Sequence, residues 1–173
     1  MENSSQEMLP IVDERGEVTG CAPRSECHGG SMLLHPVVHL HVINNAGELL
    51  LQRRSLSKKI QPGKWDTAVG GHVDYGEPAE VALRREAAEE IGLTDFEYVK
   101  IAEYTFASDV EREYVHCHIA TTDDDFKPVA EESDIDELRF WTVDDLLACC
   151  GRGVLTPNFE SEFKSVILPY LQR

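Results

Sequence analysis

The chain has 173 residues, of which 16 are basic and 32 acidic, giving a formal net charge of −16. Such negative charge repels nucleic-acid backbones and anionic membranes, so neither a nucleic-acid polymer nor a membrane is an expected partner. A small phosphorylated ligand remains compatible with it, because cations bound in one pocket reverse the local field. The length fits one domain over residues 1–173 with a buried core.

The cysteines and the N-terminus bear on the cellular compartment. The five cysteines are odd in number and include no CxxC pair or zinc-finger spacing. The N-terminal MENSSQEMLP lacks the basic and apolar segments of a signal peptide. No apolar run is long enough to cross a bilayer. We therefore expect a cytoplasmic protein whose thiols are free or packed in the core.

The first half of the chain is predicted to consist mostly of strands. In chain order its predicted elements are two strands within residues 8–20, a strand at His35–Ile43, a turn at Asn44–Gly47, a strand at Glu48–Gln52, a loop at Ser55–Lys64 and a strand at Trp65–Val69. Residues 1–30 form a predicted N-terminal extension whose strands could serve a homodimer interface.

A helix is predicted over Pro78–Ile91, with proline at its first position and Gly92 as its stop. The elements predicted after it are strands at Tyr98–Phe106, Tyr114–Thr121 and Leu138–Thr142 and helices at Val143–Cys149 and Asn158–Leu171. Strands outnumber helices, yet an amphipathic helix lies in the middle of the chain. This pattern predicts an α/β fold in which a mixed sheet lies between helices.

Three glutamates of the central helix carry the strongest chemical signal. Glu86, Glu89 and Glu90 are spaced i, i+3 and i+4, which places their carboxylates on one helix face. The repulsion between these carboxylates must be neutralised, and a bound Mg²⁺ ion can do so. Mg²⁺ prefers hard oxygen ligands and commonly also binds phosphate oxygens. Arg85 is placed to pair with one of the acids, and Gly70–Gly71 allows a close backbone approach to a metal or phosphate.

A solvated acidic helix face is the simpler explanation for clustered glutamates in so acidic a chain. The whole segment of residues 71–93, GHVDYGEPAEVALRREAAEEIGL, argues against it. Its seven fixed glycine, glutamate and arginine identities, at roughly 6–7% each, would coincide at a given start far less than once in ~10⁷.

This segment resembles the complete Nudix box, and the surrounding elements suit that family's α/β/α sandwich with a mixed sheet. The resemblance implies hydrolysis of a nucleoside diphosphate linked to another moiety, with Mg²⁺ or Mn²⁺ as cofactor and a small-molecule diphosphate as substrate. By position, Glu86, Glu89 and Glu90 match the metal-binding acids, and Arg85 matches the orienting salt-bridge partner. The Gly70–Gly71 backbone, chiefly Gly71, matches a carbonyl contribution to the metal.

The general base is left open between several carboxylates. Glu90 or Glu89 could take the proton of the attacking water. In the Nudix family the base sometimes comes from another loop, which leaves Glu131, Glu132 and Glu137 as candidates. Those three lie in an acidic segment, AEESDIDEL, that is also typical of a surface loop.

Residues 49–72, LLLQRRSLSKKIQPGKWDTAVGGH, are similar to the corresponding stretch of type I isopentenyl-diphosphate isomerases, which share the Nudix fold. The resemblance implies that Arg54 and Lys58 hold a diphosphate, with Arg53 and Lys59 nearby. Four cations in seven residues suit an anion clamp. A solvated basic surface patch explains them equally well.

The isomerases also bind a metal through histidines and glutamates outside the helix. The matching residues form a possible second metal site, suited to Zn²⁺, Mn²⁺ or Mg²⁺: His28, His35, His72, Glu111 and Glu113. The carboxylate pair is more closely spaced along the chain here than in the isomerases. His39 and His41 alternate along the same strand face as His35 and are interpreted as structural or pocket-lining.

Two departures argue against isomerase chemistry. Gly70 stands where the isomerases carry a catalytic cysteine, and glycine cannot move a proton. The aromatic residue near the isomerase C-terminus is matched at best by Phe163. We therefore favour a Nudix hydrolase, with the isomerase and a non-catalytic nucleotide- or diphosphate-binding regulator as alternatives. Aromatic residues that could stack on a base, or simply fill the core, are Trp65, Tyr75, Phe106 and Tyr114.

Overall fold

The computed structural model describes residues 7–173. The first six residues of the predicted 1–30 extension lie outside this range. The strands are β1 (Met8–Val12), β2 (Val18–Pro23), β3 (Leu34–Ile43), β4 (Leu49–Arg54), β5 (Trp65–Thr67), β6 (Val69–His72), β7 (Val99–Ala107), β8 (Arg112–Thr121) and β9 (Ile135–Trp141). The helices are α1 (Arg24–Cys27), α2 (Ala79–Ile91), α3 (Val143–Cys149), α4 (Pro157–Glu162) and α5 (Leu168–Leu171). A π-helical turn, Phe163–Ile167, joins the last two helices.

A mixed sheet organises the fold, as predicted. Its strands follow the order β5-β4-β3-β8-β7, with β6 paired to β3 and β9 paired to β4. Strand β3 runs parallel to β8 from Leu34–Arg112 to Ile43–Thr121, whereas its pairing with β6 is antiparallel. Strands β1 and β2 form a separate antiparallel pair.

Alternation along β3 divides the core between the two faces of the sheet, because successive side chains point to opposite sides. Val38 and Leu40 pack in one cluster with Leu83 of α2. Val37 packs in the other with Phe159 and the rest of the C-terminal helical segment. The sheet therefore lies between α2 and the C-terminal helices, which confirms the expected α/β/α sandwich.

The ends of α2 agree with the sequence at one terminus and differ at the other. Gly92 caps the C-terminus in the left-handed conformation, with φ of 70°. Pro78 was expected as the first helical residue, but its ψ of 145° makes it the N-cap, and the helix begins at Ala79. The Pro78 carbonyl accepts hydrogen bonds from the N–H groups of Val81 and Ala82 at 3.1 Å, so the first turn is still hydrogen-bonded.

The sequence did not predict three local features. The single strand expected at Trp65–Val69 is divided at Ala68, because β5 pairs with β4 while β6 pairs with β3. The short helix α1 was not predicted. The helix expected at Asn158–Leu171 widens into the π-helical turn. Pro169 lacks an N–H, and its ring would clash with a regular preceding helical turn, which accounts for the widening.

All five cysteines are free thiols, as expected. No helix formed by residues 7–173 combines the length and apolar character needed to cross a membrane.

Replacing Leu83 with alanine tests the packing of α2 on the sheet. Leu83 is completely buried, so L83A should lower the free energy of unfolding by about 2–5 kcal/mol. Val81 on the same helix is 50% exposed, and V81A should change it by less than about 0.5 kcal/mol. Urea denaturation of both variants measures the difference, and equal effects would contradict this packing.

Candidate active site

Three carboxylates from two elements meet beside β6. Glu86 and Glu89 project from α2, and Glu132 comes from the loop before β9. One oxygen of each lies within 4.8 Å of the others, and we call this group the carboxylate cluster. The segment predicted to be an acidic surface loop therefore contributes one glutamate to the site. Glu131 and Glu137, the other candidate bases of that segment, are exposed and lie outside the cluster.

Glycine at position 71 permits the close contact between β6 and α2. A Cβ atom at Gly71 would overlap the carboxyl carbon of Glu86. Strand β6 can therefore lie against this carboxylate only because residue 71 has no side chain.

Glu90 is held by the sheet behind the carboxylate cluster. Its Oε2 accepts a hydrogen bond from the Gly70 N–H at 3.1 Å, and its Oε1 accepts one from Gln52 Nε2 at 3.1 Å. The residue is 7% exposed. These bonds fix the carboxylate between β6 and β4.

Arg85 connects α2 to the loop that precedes it. Its guanidinium donates two hydrogen bonds of 2.9 Å to the Glu77 carboxylate. It also donates to Glu86 at 3.0 Å, to Glu89 at 3.3 Å and to the carbonyl of His72 at 3.1 Å. The paired, planar contact with Glu77 fixes the guanidinium geometrically, so it can orient the acids of the carboxylate cluster.

Burial gives the acids of α2 unusual proton affinities. It raises the pKa of Glu86 to about 7; Arg85 opposes this shift, whereas the charges of Glu89 and Glu132 add to it. Burial and the charge of Glu86 raise the pKa of Glu90 well above its usual value. A divalent cation would relieve this cost of ionisation. The oxygen donors fit Mg²⁺ or Mn²⁺, which Glu86, Glu89 and Glu132 would hold.

The four cations of the basic loop have different environments. Arg54 lies 3.5 Å from Asp66 and donates to the Ile60 carbonyl at 3.1 Å. Lys58 forms an ion pair with Asp134, and Lys59 is exposed. Arg53 is partly buried and makes a long contact with the Gly63 carbonyl, 3.4 Å. An arriving anion would therefore compete with acidic partners for Arg54 and Lys58.

The five residues of the possible second metal site are brought together, and we call them the histidine cluster. The ring nitrogens of His28, His35 and His72 available for coordination lie within 4.8 Å of one another, and the same limit holds for His35, Glu111 and Glu113. His28 Nε2 lies 2.9 Å from His72 Nε2, and His28 Nδ1 contacts Glu111. His35 Nε2 is buried and has no hydrogen-bond partner among residues 7–173.

The electrostatics of the histidine cluster suit a metal ion. Burial lowers the pKa of His35 and holds that of His72 well below its usual value, so both imidazoles are neutral and able to coordinate. The hydrogen bond from His28 lowers the pKa of Glu111, whereas burial raises that of Glu113 to about 7. The unpaired His35 nitrogen and the mixed imidazole–carboxylate donors fit Zn²⁺ or Mn²⁺.

A further buried network, centred on Glu162, was not predicted. Its carboxylate lies 2.9 Å from His39 Nδ1 and 2.5 Å from His41 Nε2, and it also contacts the Tyr104 hydroxyl and the Cys117 thiol. The two histidines were interpreted as structural or pocket-lining, but nothing in the sequence pointed to their shared partner. We call these five residues the Glu162 network.

Several aromatic candidates lie in the core. Phe163, the possible match to the isomerase aromatic residue, is completely buried and stacks on Phe159. Trp65 and Tyr114 are each 7% exposed. Tyr75 is 56% exposed and is the more accessible of these rings.

Comparisons with known proteins bear on the fold and the family. Residues 33–160 match the family model described as NUDIX domain. The chain is 36% identical over 153 residues to an isopentenyl-diphosphate Delta-isomerase of Kocuria rhizophila, covering 85% of this chain and 84% of that protein. It is also 36% identical to an uncharacterized Nudix hydrolase of Pseudomonas aeruginosa, covering 79% of each. The crystal structure of DR0079 from Deinococcus radiodurans superposes with a TM-score of 0.71 at 30% identity, covering 86% of this chain and 91% of that one.

A methyl group at Gly71 should displace Glu86 and weaken the carboxylate cluster. We expect G71A to lower Mg²⁺ affinity about 10–100-fold, because the new Cβ overlaps the Glu86 carboxyl carbon. G20A is the matched control, since a Cβ at Gly20 meets nothing within 4 Å. Isothermal titration with Mg²⁺ measures both, and unchanged affinity in G71A would contradict Glu86 as a metal ligand.

The raised pKa of Glu86 predicts a pH-dependent stability in the metal-free protein. A carboxyl group whose pKa rises on folding from 4.5 to about 7 stabilises the fold fully below 4.5 and loses that contribution as pH rises through 7. E86Q stays neutral, so the melting temperature of wild type should fall more than that of E86Q between pH 5.5 and 8. Thermal melts in EDTA measure this difference, and parallel curves would contradict the shift. Glu113, with a similar pKa, contributes equally to both proteins.

Proposed function

The chain belongs to the Nudix family, and on that premise we propose that it is a metal-dependent hydrolase that cleaves a diphosphate bond. The proposed substrates are nucleoside-diphosphate-linked or related small molecules. The carboxylate cluster carries the proposal, because three acids, of which Glu86 is largely buried, converge beside a strand whose Gly71 lets it lie against the Glu86 carboxylate. A pure binding module would not need these clustered carboxylates.

Each residue of the carboxylate cluster and its neighbours on α2 has a separate proposed role. When bound, Mg²⁺ or Mn²⁺ supplies positive charge to the phosphate oxygens. Glu86, Glu89 and Glu132 would hold the ion, and Arg85 orients the first two. Glu90 is the stronger base once ionised, because burial raises its pKa, whereas Glu89 is more accessible to water. Either carboxylate can accept the proton of the attacking water.

The basic loop is proposed to hold the diphosphate. Arg54 ends β4 and Lys58 lies in the loop that follows it, and each is already paired with one aspartate. A diphosphate carries more negative charge than a single carboxylate and can replace these partners. Arg53 and Lys59 add positive charge nearby, so the loop offsets the acidity of the rest of the chain locally.

Isopentenyl-diphosphate isomerisation is the second candidate, and the assembled histidine cluster favours it. The residue at position 70 argues against isomerisation. Gly70 offers no group that can move a proton, and the buried Phe163 cannot line an open pocket.

A substrate panel with an E90Q control tests the hydrolase. Wild type with Mg²⁺ or Mn²⁺ should release phosphate, diphosphate or a nucleoside monophosphate from one class among nucleoside di- and triphosphates, nucleotide sugars, dinucleotides and isoprenoid diphosphates. E90Q should lower kcat at least ~100-fold, the usual contribution of a general base or a charged ligand. E80Q, an exposed glutamate of the same helix, should retain wild-type activity.

The same panel distinguishes the alternatives. Deuterium entering isopentenyl diphosphate from deuterated water, without hydrolysis of any substrate, would replace the hydrolase with an isomerase. Tight binding of a nucleotide or diphosphate, without turnover under any metal, would indicate a regulator.

A further inference from the structure

The two histidines of the Glu162 network occupy different surroundings. Both contact the Glu162 carboxylate, whose side chain is only 1% exposed. The His41 side chain is completely buried, whereas that of His39 is 16% exposed. His39 uses Nδ1 for the carboxylate, and its Nε2 forms no hydrogen bond within residues 7–173. One imidazole of the network therefore reaches toward the surface.

Gly70 lies over the exposed edge of His39. The two residues are direct partners in the pairing of β3 with β6. A Cβ on Gly70 would stand 3.6 Å from His39 Cδ2 and 3.9 Å from Nε2. Gly70 itself is exposed. The missing side chain therefore uncovers the ring at the position where a catalytic cysteine is found in the isomerases.

The same glycine places His39 near the metal-binding acids. The Gly70 N–H donates to Glu90 Oε2 at 3.1 Å, while its Cα faces the His39 ring. One residue of β6 therefore separates the Glu90 carboxylate from the imidazole. A phosphate group bound at the edge of β6 beside Gly70 would lie between these two side chains, with the carboxylate on the α2 side and the imidazole on the other.

The charges around His39 keep its ring protonated. Burial alone would lower the pKa of His39, but the charge and hydrogen bond of Glu162 outweigh it and raise the pKa to about 9. Glu113 of β8 and Asp66 of β5 act in the same direction. His39 is therefore an imidazolium at neutral pH, with Nδ1–H donated to Glu162 and Nε2–H available to a ligand.

We propose that His39 is the general acid of the hydrolytic reaction, donating its Nε2 proton to the leaving phosphate, and that Glu162 is its positioning residue. This proposal rests on the proposed hydrolase function. As the water oxygen bonds to phosphorus, the bond from phosphorus to the leaving oxygen breaks. The leaving oxygen takes the His39 proton, and the proton of the water passes to Glu90 or Glu89. Solvent then reprotonates His39, so the net reaction consumes one water.

The role of His39 is tested with two substrates whose leaving groups differ in basicity, because the more basic leaving group depends more on a proton donor. UDP and UDP-glucose both yield UMP, but UDP expels inorganic phosphate, a more basic leaving group than glucose 1-phosphate. If the substrate panel identifies a nucleoside other than uridine, the diphosphate and the nucleotide sugar of that nucleoside replace UDP and UDP-glucose. H39N keeps an amide N–H in the place of Nδ1 and removes Nε2. We expect it to lower kcat for UDP at least ~100-fold and for UDP-glucose less than ~10-fold, with KM nearly unchanged.

H116N is the matched control, because it makes the same change in a histidine whose Nδ1 also contacts a carboxylate, that of Glu103, outside the Glu162 network. It should change kcat less than ~3-fold on either substrate. G70A keeps His39 and adds a methyl group at ordinary contact distance over its edge. It should therefore fold normally and lower kcat for UDP more than for UDP-glucose.

Glu162 is tested by the pH profile of kcat. E162Q removes the charge that raises the pKa of His39, so the alkaline limb of the profile should move to lower pH. A uniform loss of rate at every pH would indicate a structural role and overturn the positioning of His39. The charged groups that remain around His39, Glu113 and Asp66, are the same in both proteins.

The outcomes distinguish a failure of the proposed His39 role from a failure of the proposed hydrolase function. Metal-dependent hydrolysis that E90Q abolishes and H39N leaves intact would overturn the role of His39 and keep the hydrolase. An equal loss in H39N on both substrates would also overturn it. An absence of hydrolysis by wild type on the whole panel would overturn both.

Discussion

The structure of the site depends on the Gly70–Gly71 pair of β6, which presents no side chain to either face of the strand. At Gly71 the Glu86 carboxylate of α2 lies where a Cβ would stand, and at Gly70 the ring of His39 lies just beneath the surface. Because successive residues of a strand face opposite sides, the two glycines open both faces of β6. The acids of one layer and the imidazoles of the other are therefore separated by a single backbone.

This proximity requires charge compensation, and the two faces achieve it differently. On the α2 face the acids are desolvated and their proton affinity rises, which leaves a place for a cation. On the other face Glu162 is equally buried, yet contacts with His39 and His41 hold its pKa well below its usual value. A buried carboxylate is tolerated in either case because positive charge or hydrogen-bond donors lie within contact distance. The first face is arranged to receive a metal ion, whereas on the second the Glu162 carboxylate already contacts its own histidine partners.

The sequence predicted what depends on local spacing. The i, i+3 and i+4 glutamates, the Gly92 cap and the alternation along β3 identify α2, its acidic face and the mixed sheet. The sequence could not predict contacts that tertiary packing creates, such as the contact of Glu162 with His39 or that of Glu132 with Glu86. The division at Ala68 was missed for a related reason: the residues suit one continuous strand, and only the choice of partners, β4 and then β3, divides it. The roles assigned to the site residues remain predictions.

The parallel pairing of β3 with β8 has a consequence for how the protein acquires its site. These strands lie far apart in the chain, and the intervening segment contains β4, β5, β6, α2 and β7. Joining them costs the entropy of closing a long loop, which slows folding. The acidic helix is built from one local segment, whereas the histidine cluster joins residues that are far apart in the chain, from His28 to Glu113. Acquisition of metal at that cluster therefore belongs to a late stage of folding.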